Sequence, residues 1–564
     1  MRGMRSKALA TRGNRLTRAV RRLGGVCLLG MVPLAVAACG NGGGGGVAAA
    51  GTAAAAQNAA HWISTTPAAS GDVKSLTWNL LLEPQSLDPA QSDNYTNEVV
   101  ANLCESLQTL RPNSSITSGL ASYHPEDGGT RLVYDINPKA RFWDGKPVTA
   151  QDAVFSLKRV MHGPGQAWWD PAYFAAVTSI RATGRLQLTV TLKQPDALFN
   201  QLMATSAGAV QEAAFVNAHH GTVGTPKTGI MCSGPYELGP WTSGEKIAIF
   251  RNDHYWRGVT AKVQKLTFTF LQGDATQSTA LLGNAIQGMY NAPYSILRRL
   301  AQHGHLYYGR SLLEFYVTPT TKPGPLQNPL IRKALFLALN REAVAKSAFG
   351  GAAIPARTML PPDAYGGVHA TASTGTGGSS AELAQARKLV RQAGSPKQQI
   401  ILAMDPGITD SATETMEALA QAGRSIGLNT MFKTVTLGQY YGLFQGGNSW
   451  KPVDADGFAE QSYPPVASPL AEYQTLTEPK DPNNIGRWSD PAFDRLVARA
   501  SATKNTAERD RLLGQIDAIA YRQMPVIPIE DVSNTLYLAP GLTGSPASFI
   551  DFFSPWAATL GASR

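Results

Sequence analysis

Apolar and polar residues alternate strictly over Leu186-Gln187-Leu188-Thr189-Val190-Thr191-Leu192. A period of two sends one face inward, so the pattern predicts a half-buried strand. Thr183-Gly184, between this run and Val177–Arg181, predicts a hairpin turn. Lys246–Arg251 and Leu266–Leu271 also predict strands. Other stretches carry helical spacing. Thr149 and Asp152 fit a capping box, with Val148 and Ala153 as its hydrophobic staple and Val154, Leu157 and Met161 as the apolar stripe. Asn328-Pro329 opens Leu330–Leu339, and Gly350-Gly351 stops the next helix. Ser379–Glu382 caps a helix ending at Gly394, Asp490-Pro491 opens another, and Ala507–Ala520 places Leu512, Ile516, Ile519 and Ala520 on one side. Interleaved strands and helices predict an α/β protein. Gly366–Ser380 is of low complexity and is expected to be a mobile loop.

The first 38 residues follow a different logic. A basic stretch to Arg22 precedes an apolar segment from Leu23 to Ala38, then Val36-Ala37-Ala38-Cys39-Gly40. Basic start, short apolar run and small-residue exit are the parts of an export signal. The cysteine just after the small residues resembles a bacterial lipobox, with Val36 where Leu is usual. That resemblance implies cleavage after residue 38 and lipidation of Cys39. Residues 39–71 then read as a Gly/Ala-rich tether, whose low hydrophobicity cannot sustain a core. About 30 such residues reach roughly 30 Å. The expected location is extracytoplasmic, on the outer face of the cytoplasmic membrane. Arg21-Arg22 raises twin-arginine export as an alternative route.

Charge changes with that reading. The chain has 564 residues and a formal charge of +10, but eight of its 50 basic residues precede residue 38, leaving 42 basic against 40 acidic. A nearly neutral body gives no electrostatic case for nucleic-acid binding. No apolar run beyond the signal reaches the ~18 residues of a membrane span, which excludes a permease. Of the four cysteines, Cys27 leaves with the signal and Cys39 is acylated. Cys104 and Cys232 either pair or remain buried thiols.

Catalytic patterns are sparse. There is no H-E-x-x-H. Gly221–Thr228 lacks the glycine before Lys227 that a phosphate loop needs, His219-His220 have no carboxylate at ligand spacing, and Cys104 has no nearby histidine. The expectation is a non-enzyme without cofactor or metal.

One segment is specific: Arg141-Phe142-Trp143-Asp144-Gly145-Lys146-Pro147-Val148-Thr149-Ala150-Gln151-Asp152-Ala153. It resembles the W-x-D-G-x-P-x-T-A-x-D-V signature of the family 5 extracellular solute-binding proteins, the peptide/nickel-binding receptors of ABC importers. Further blocks follow in family order. Glu83-Pro84-Gln85-Ser86-Leu87-Asp88-Pro89 resembles E-P-x-S-L-D-P, and Ser233-Gly234-Pro235-Tyr236 resembles G-T-G-P-Y. Asn252-Asp253-His254-Tyr255-Trp256 resembles N-P-x-Y-W. Ile331-Arg332-Lys333-Ala334-Leu335 with Asn340-Arg341-Glu342 resembles V-R-x-A-L…D-R-E, and Met524-Pro525-Val526-Ile527-Pro528 resembles the late P-x-I-P.

The resemblance implies an α/β, two-lobed periplasmic-binding-protein-like fold (type II, cluster C) with an extra subdomain in the N-terminal lobe. The expected division is 72–106, 226–312 and 529–564 for the first lobe, 107–225 for the extra subdomain and 313–528 for the second lobe. Crossings are expected near Leu313–Thr318 and Val526–Asn534. It also implies a monomer that closes over a peptide or other small solute, then delivers it to a membrane permease whose ATPase subunits supply energy. In peptide-binding members an acidic residue of a D-Y-x-D-P block pairs with the ligand ammonium. Here the block reads Ser462-Tyr463-Pro464-Pro465, without either acid. Asp454, Asp456 or Glu460 takes that role, or the ligand is amine-free, such as an oligosaccharide or metal complex. A surface lipoprotein with a scaffold or enzymatic role is a further alternative. Candidate ligand contacts are Asn94 and Tyr95 in the Ser92–Tyr95 loop, Tyr316, and Trp450, Asp456, Glu460, Ser462 and Tyr463 around the altered block. Trp143 and Asp144 are expected to be structural.

Overall fold

A computed structural model describes residues 59–563, except 92, 164–170, 259, 367, 406–409, 446 and 478–483. Residues 1–38, Cys39 and the tether as far as residue 58 therefore lie outside the described residues. Among the described residues no helix is long and apolar enough to cross a membrane.

Two large sheets organise the chain. The seven-stranded sheet runs, in order across it, His305–Gly309, Asn534–Leu538, Gly288–Tyr290, Leu76–Asn79, Lys265–Thr269, Lys246–Arg251 and Tyr236–Thr242. Its central strand is parallel to both neighbours, and Trp78 on it is fully buried against Trp556, ring centroids 4.4 Å apart. The six-stranded sheet runs Ala353–Pro355, Ile527–Val532, Glu314–Pro319, Gly457–Ser462, Gln399–Met404 and Asn429–Thr434. A four-stranded antiparallel sheet, Ala121–Glu126, Arg131–Ile136, Gln187–Leu192 and Val177–Ala182, is inserted between segments of the first.

Local signals explain many boundaries. Both halves of the Thr149/Asp152 capping box form and start the helix Ala150–His162. Ser379 and Glu382 do the same for Ser380–Gln392. Asn328 and Asp490 cap helices that begin at Pro329 and Pro491. The alternating run pairs as the strand Gln187–Leu192 with Val177–Ala182 across the expected turn.

The signature segment proves to be a clasp. Gly145 turns at φ +83°, a backbone region open chiefly to glycine. Lys146 Nζ then reaches Asp144 at 2.6 Å and Glu212 at 2.7 Å. Asp88 of the opening block receives both Arg159 NH groups, at 3.0 and 2.6 Å. Glu83 accepts from the Trp241 indole at 2.7 Å and from the Gly244 amide at 2.8 Å. Motif acids here hold segments together.

The chain passes from the first large sheet to the second between Gly309 and Glu314, and returns at Ser533. The two passages touch, because the Val532 amide donates to the Leu313 carbonyl at 2.9 Å. The 528/529 boundary expected from sequence cuts the strand Ile527–Val532, which pairs with Glu314–Val317 and Ala353–Pro355 along its length. A register shift opposite Tyr316 accommodates Pro528, which has no amide to donate.

Two further expectations change. Residues 60–71 are not tether: Trp62 is 4% exposed, and Ile63, Thr65 and Gly71 bridge to Gly309, Pro546 and Ala562. The Gly366–Ser380 loop is pinned rather than free, since Thr371 donates to Asp517 and Arg341 binds the carbonyl of Gly375. Cys104 and Cys232 form a buried disulfide, which sequence left open.

Candidate functional site

A cavity of ≈ 300 Å³ lies between the two large sheets. From the first sheet's side come Asn79, Met289, Tyr290 and the first turn of the helix Asn94–Leu103. From the second come Tyr316 and the strand end Glu460-Gln461-Ser462. Tyr440 and Tyr441 on Leu437–Leu443, and Glu472 on Pro469–Thr475, close the second side.

Strand pairing sets the second wall. Tyr316 lies opposite Glu460, and Glu314 lies opposite Ser462. Residues two apart on a strand share a face, so these four side chains form one polar patch. Glu460 accepts from Thr318 Oγ1 at 2.7 Å and from Tyr316. Burial raises its carboxyl above the usual range, against the lowering effect of those bonds. Glu314 behind it is 4% exposed and pushed well up by burial, then by Glu472, Asp531 and Glu460.

The first wall is built on a helix start. Asp93 caps the helix by accepting from the Thr96 amide at 2.7 Å, and burial outweighs that bond to raise its carboxyl. Glu98 accepts from the Trp78 indole at 2.8 Å; burial and then the charge of Asp551 push it well above its ordinary value. Asn97 is hydrogen-bonded to Tyr463, yet its buried Oδ1 has no partner. Tyr463 stacks on Phe552 with centroids 4.7 Å apart and planes 6° from parallel.

The cavity thus brings together Tyr95, Tyr316, Glu460, Ser462 and Tyr463. The side chain of Asn94 and all of Ser92 lie outside the described residues. Asp456 leaves the candidate set. It is fully buried, accepts from the Ile401 amide at 2.8 Å, and pairs with Lys322 at 3.0 Å. It ties adjacent strands and does not line the cavity. Asp454 pairs with the same lysine at 2.8 Å. Trp450 also leaves, because it packs against the cluster of Ala403, Val435, Leu443 and Val453. Sequence reasoning missed Glu98 and Glu472, which belong to no motif. Asp93 lies in the Ser92–Tyr95 loop that the sequence pointed to, but only Asn94 and Tyr95 of that loop were singled out.

A cavity walled by both sheets, beside paired crossings, is the arrangement of a protein that closes on a solute. The model of the bacterial extracellular solute-binding proteins, family 5 (middle), matches residues 115–468. The chain belongs to this family. The periplasmic murein peptide-binding protein MppA of Escherichia coli K12 is 25% identical over 489 residues, covering 82% of this chain and 89% of that protein. The solved structure of the E. coli murein tripeptide binding protein MppA superposes with TM-score 0.75 at 21% identity, over 88% of this chain and 99% of that one. DppA of Helicobacter pylori in complex with peptide STSA also gives TM-score 0.75, at 18% identity, over 88% and 99%. The fold is therefore the two-lobed periplasmic-binding-protein-like α/β fold.

Proposed function

We propose that this family member is the receptor of an ABC importer, catching a peptide or peptide-like solute between its lobes. The carrying observation is the cavity whose walls come from both large sheets, with Tyr463 of one side stacked on Phe552 of the other. A hinged pair of passages lets ligand shift the open and closed populations by its differential affinity for the closed form. Relatives named for murein peptide and peptide STSA favour a peptide-like solute. Cavity carboxylates favour a solute with an amine over an amine-free one. In this reading the lobes divide near Leu313 and Ser533, and residues 107–225 carry the extra subdomain. Lipidated Cys39 anchors the body to the outer face of the cytoplasmic membrane. The protein acts as a monomer that hands solute to a permease with separate ATPase subunits, and has no catalytic role.

Native mass spectrometry of the purified protein, followed by release and identification of any copurified solute, tests this. A thermal-shift screen against a diverse oligopeptide pool complements it. A peptide or aminated conjugate that raises the melting temperature supports the reading. No shift with any peptide, and a sugar recovered from the cavity, refutes it.

A further inference from the structure

The cavity has a one-sided chemistry. Its lining holds four carboxylates, Asp93, Glu98, Glu460 and Glu472, and among the described residues no Lys, Arg or His. A fifth acid, Glu314, stands behind the Glu460 patch. A carboxylate on a ligand would need a cation or a cluster of free amide donors. The amide end of the helix Asn94–Leu103 is already capped by Asp93.

Unsatisfied atoms tell the same story independently. Asn97 is 1% exposed, lines the cavity, and its Oδ1 has no hydrogen-bond partner. Asn291 Oδ1 on the lining also lacks a partner. Both are acceptors. A buried acceptor without a donor is costly, so the site is short of N–H groups that a ligand would bring. Eight tyrosines complete the walls, and their faces attract organic cations.

We propose that the cavity is specific for a small organic cation bearing at least two ammonium groups and no carboxylate. One ammonium sits at Glu460 and Glu472 on the second wall; another sits at Asp93, Glu98 and Asn97 on the first. A dication bridging both walls binds the closed form better than the open one, which couples its capture to closure. The inference rests on the solute-receptor reading and narrows its solute class. The cavity volume, at the low end of small-molecule pockets, suits a short linear amine better than a long peptide.

The test is isothermal titration of the full-length protein with spermidine, trialanine amide and trialanine at matched ionic strength. Spermidine is expected to bind most tightly, and the amide at least tenfold more tightly than the zwitterion. Glu460→Gln and Glu472→Gln are each expected to weaken spermidine at least tenfold, while circular dichroism shows both variants folded. Should either variant unfold, raising salt from 20 to 300 mM serves instead, with a tenfold loss of spermidine affinity expected. Trialanine binding as tightly as its amide, or spermidine failing to bind while trialanine binds, overturns the cation proposal and leaves the receptor reading intact. Binding of none of these, nor of any member of the oligopeptide pool, overturns both.

Discussion

Replacing Tyr463 by alanine probes the closed form directly. Tyr463 follows the strand Gly457–Ser462 of one lobe, and its ring lies 4.7 Å from Phe552 in the other, 6° off parallel. Such a ring pair contributes about 1 kcal/mol beyond buried area. The hydroxyl is also hydrogen-bonded to Asn97 on the first lobe's helix, worth about 1 kcal/mol net. Both contacts bridge the lobes, so both vanish on opening. Their loss, about 2 kcal/mol, shifts the closed-to-open ratio roughly thirtyfold, since 1.4 kcal/mol is a factor of ten. Small-angle scattering of the empty protein reads this as a larger radius of gyration. Solute affinity falls with the closed fraction, up to the same factor. Phe552→Ala removes only the ring pair, about 1 kcal/mol or roughly fivefold, and the double variant is expected to add little to Tyr463→Ala. If the radius is unchanged and the two single effects simply add, the stacked pair is ordinary packing and the latch idea is wrong.

Other expectations follow from particular contacts. Removing the Cys104–Cys232 disulfide with alanines opens a closed loop of separation 128; chain entropy gives about 5 kcal/mol, read as a lower urea midpoint with solute binding retained. Asp88→Ala leaves the half-buried Arg159 guanidinium only its bond to Gln211, a loss of about 1.5–3 kcal/mol in chemical unfolding; an effect under 1 kcal/mol would contradict the clasp. Burial holds the Glu314 carboxyl well above its ordinary value, so the folded state keeps its proton longer than the unfolded chain. Stability from this group is full below the ordinary carboxylate range near 4 and is lost as pH rises toward the raised value. Melting temperature from pH 5 to 8 should therefore fall less steeply in Glu314→Gln than in the native protein. Cys39→Ser is expected to release the protein from membranes without altering solute binding; continued membrane attachment of the variant counts against the lipid anchor.

What the sequence determined by itself was local. Helix starts at Thr149, Asn328, Ser379 and Asp490 are written in side chains that bond amides two or three residues away. The strand Gln187–Leu192 is written in a two-residue period. The family signature was legible because its residues clasp one another over a short span. Long-range partners had no such mark. Asp456 and Glu460 are four residues apart, yet pairing with Gln399–Met404 buries the first beside Lys322. Pairing with Glu314–Pro319 turns the second toward the cavity. The Trp62 segment resembled the end of a tether until its docking partners at Gly309 and Ala562 were in place. Glu98, Glu460 and Glu472 become a single acidic site only when three distant segments meet. Tertiary structure decided that site, because a carboxylate's role depends on which charges and donors share its low-dielectric surroundings, and those arrive from elsewhere in the chain.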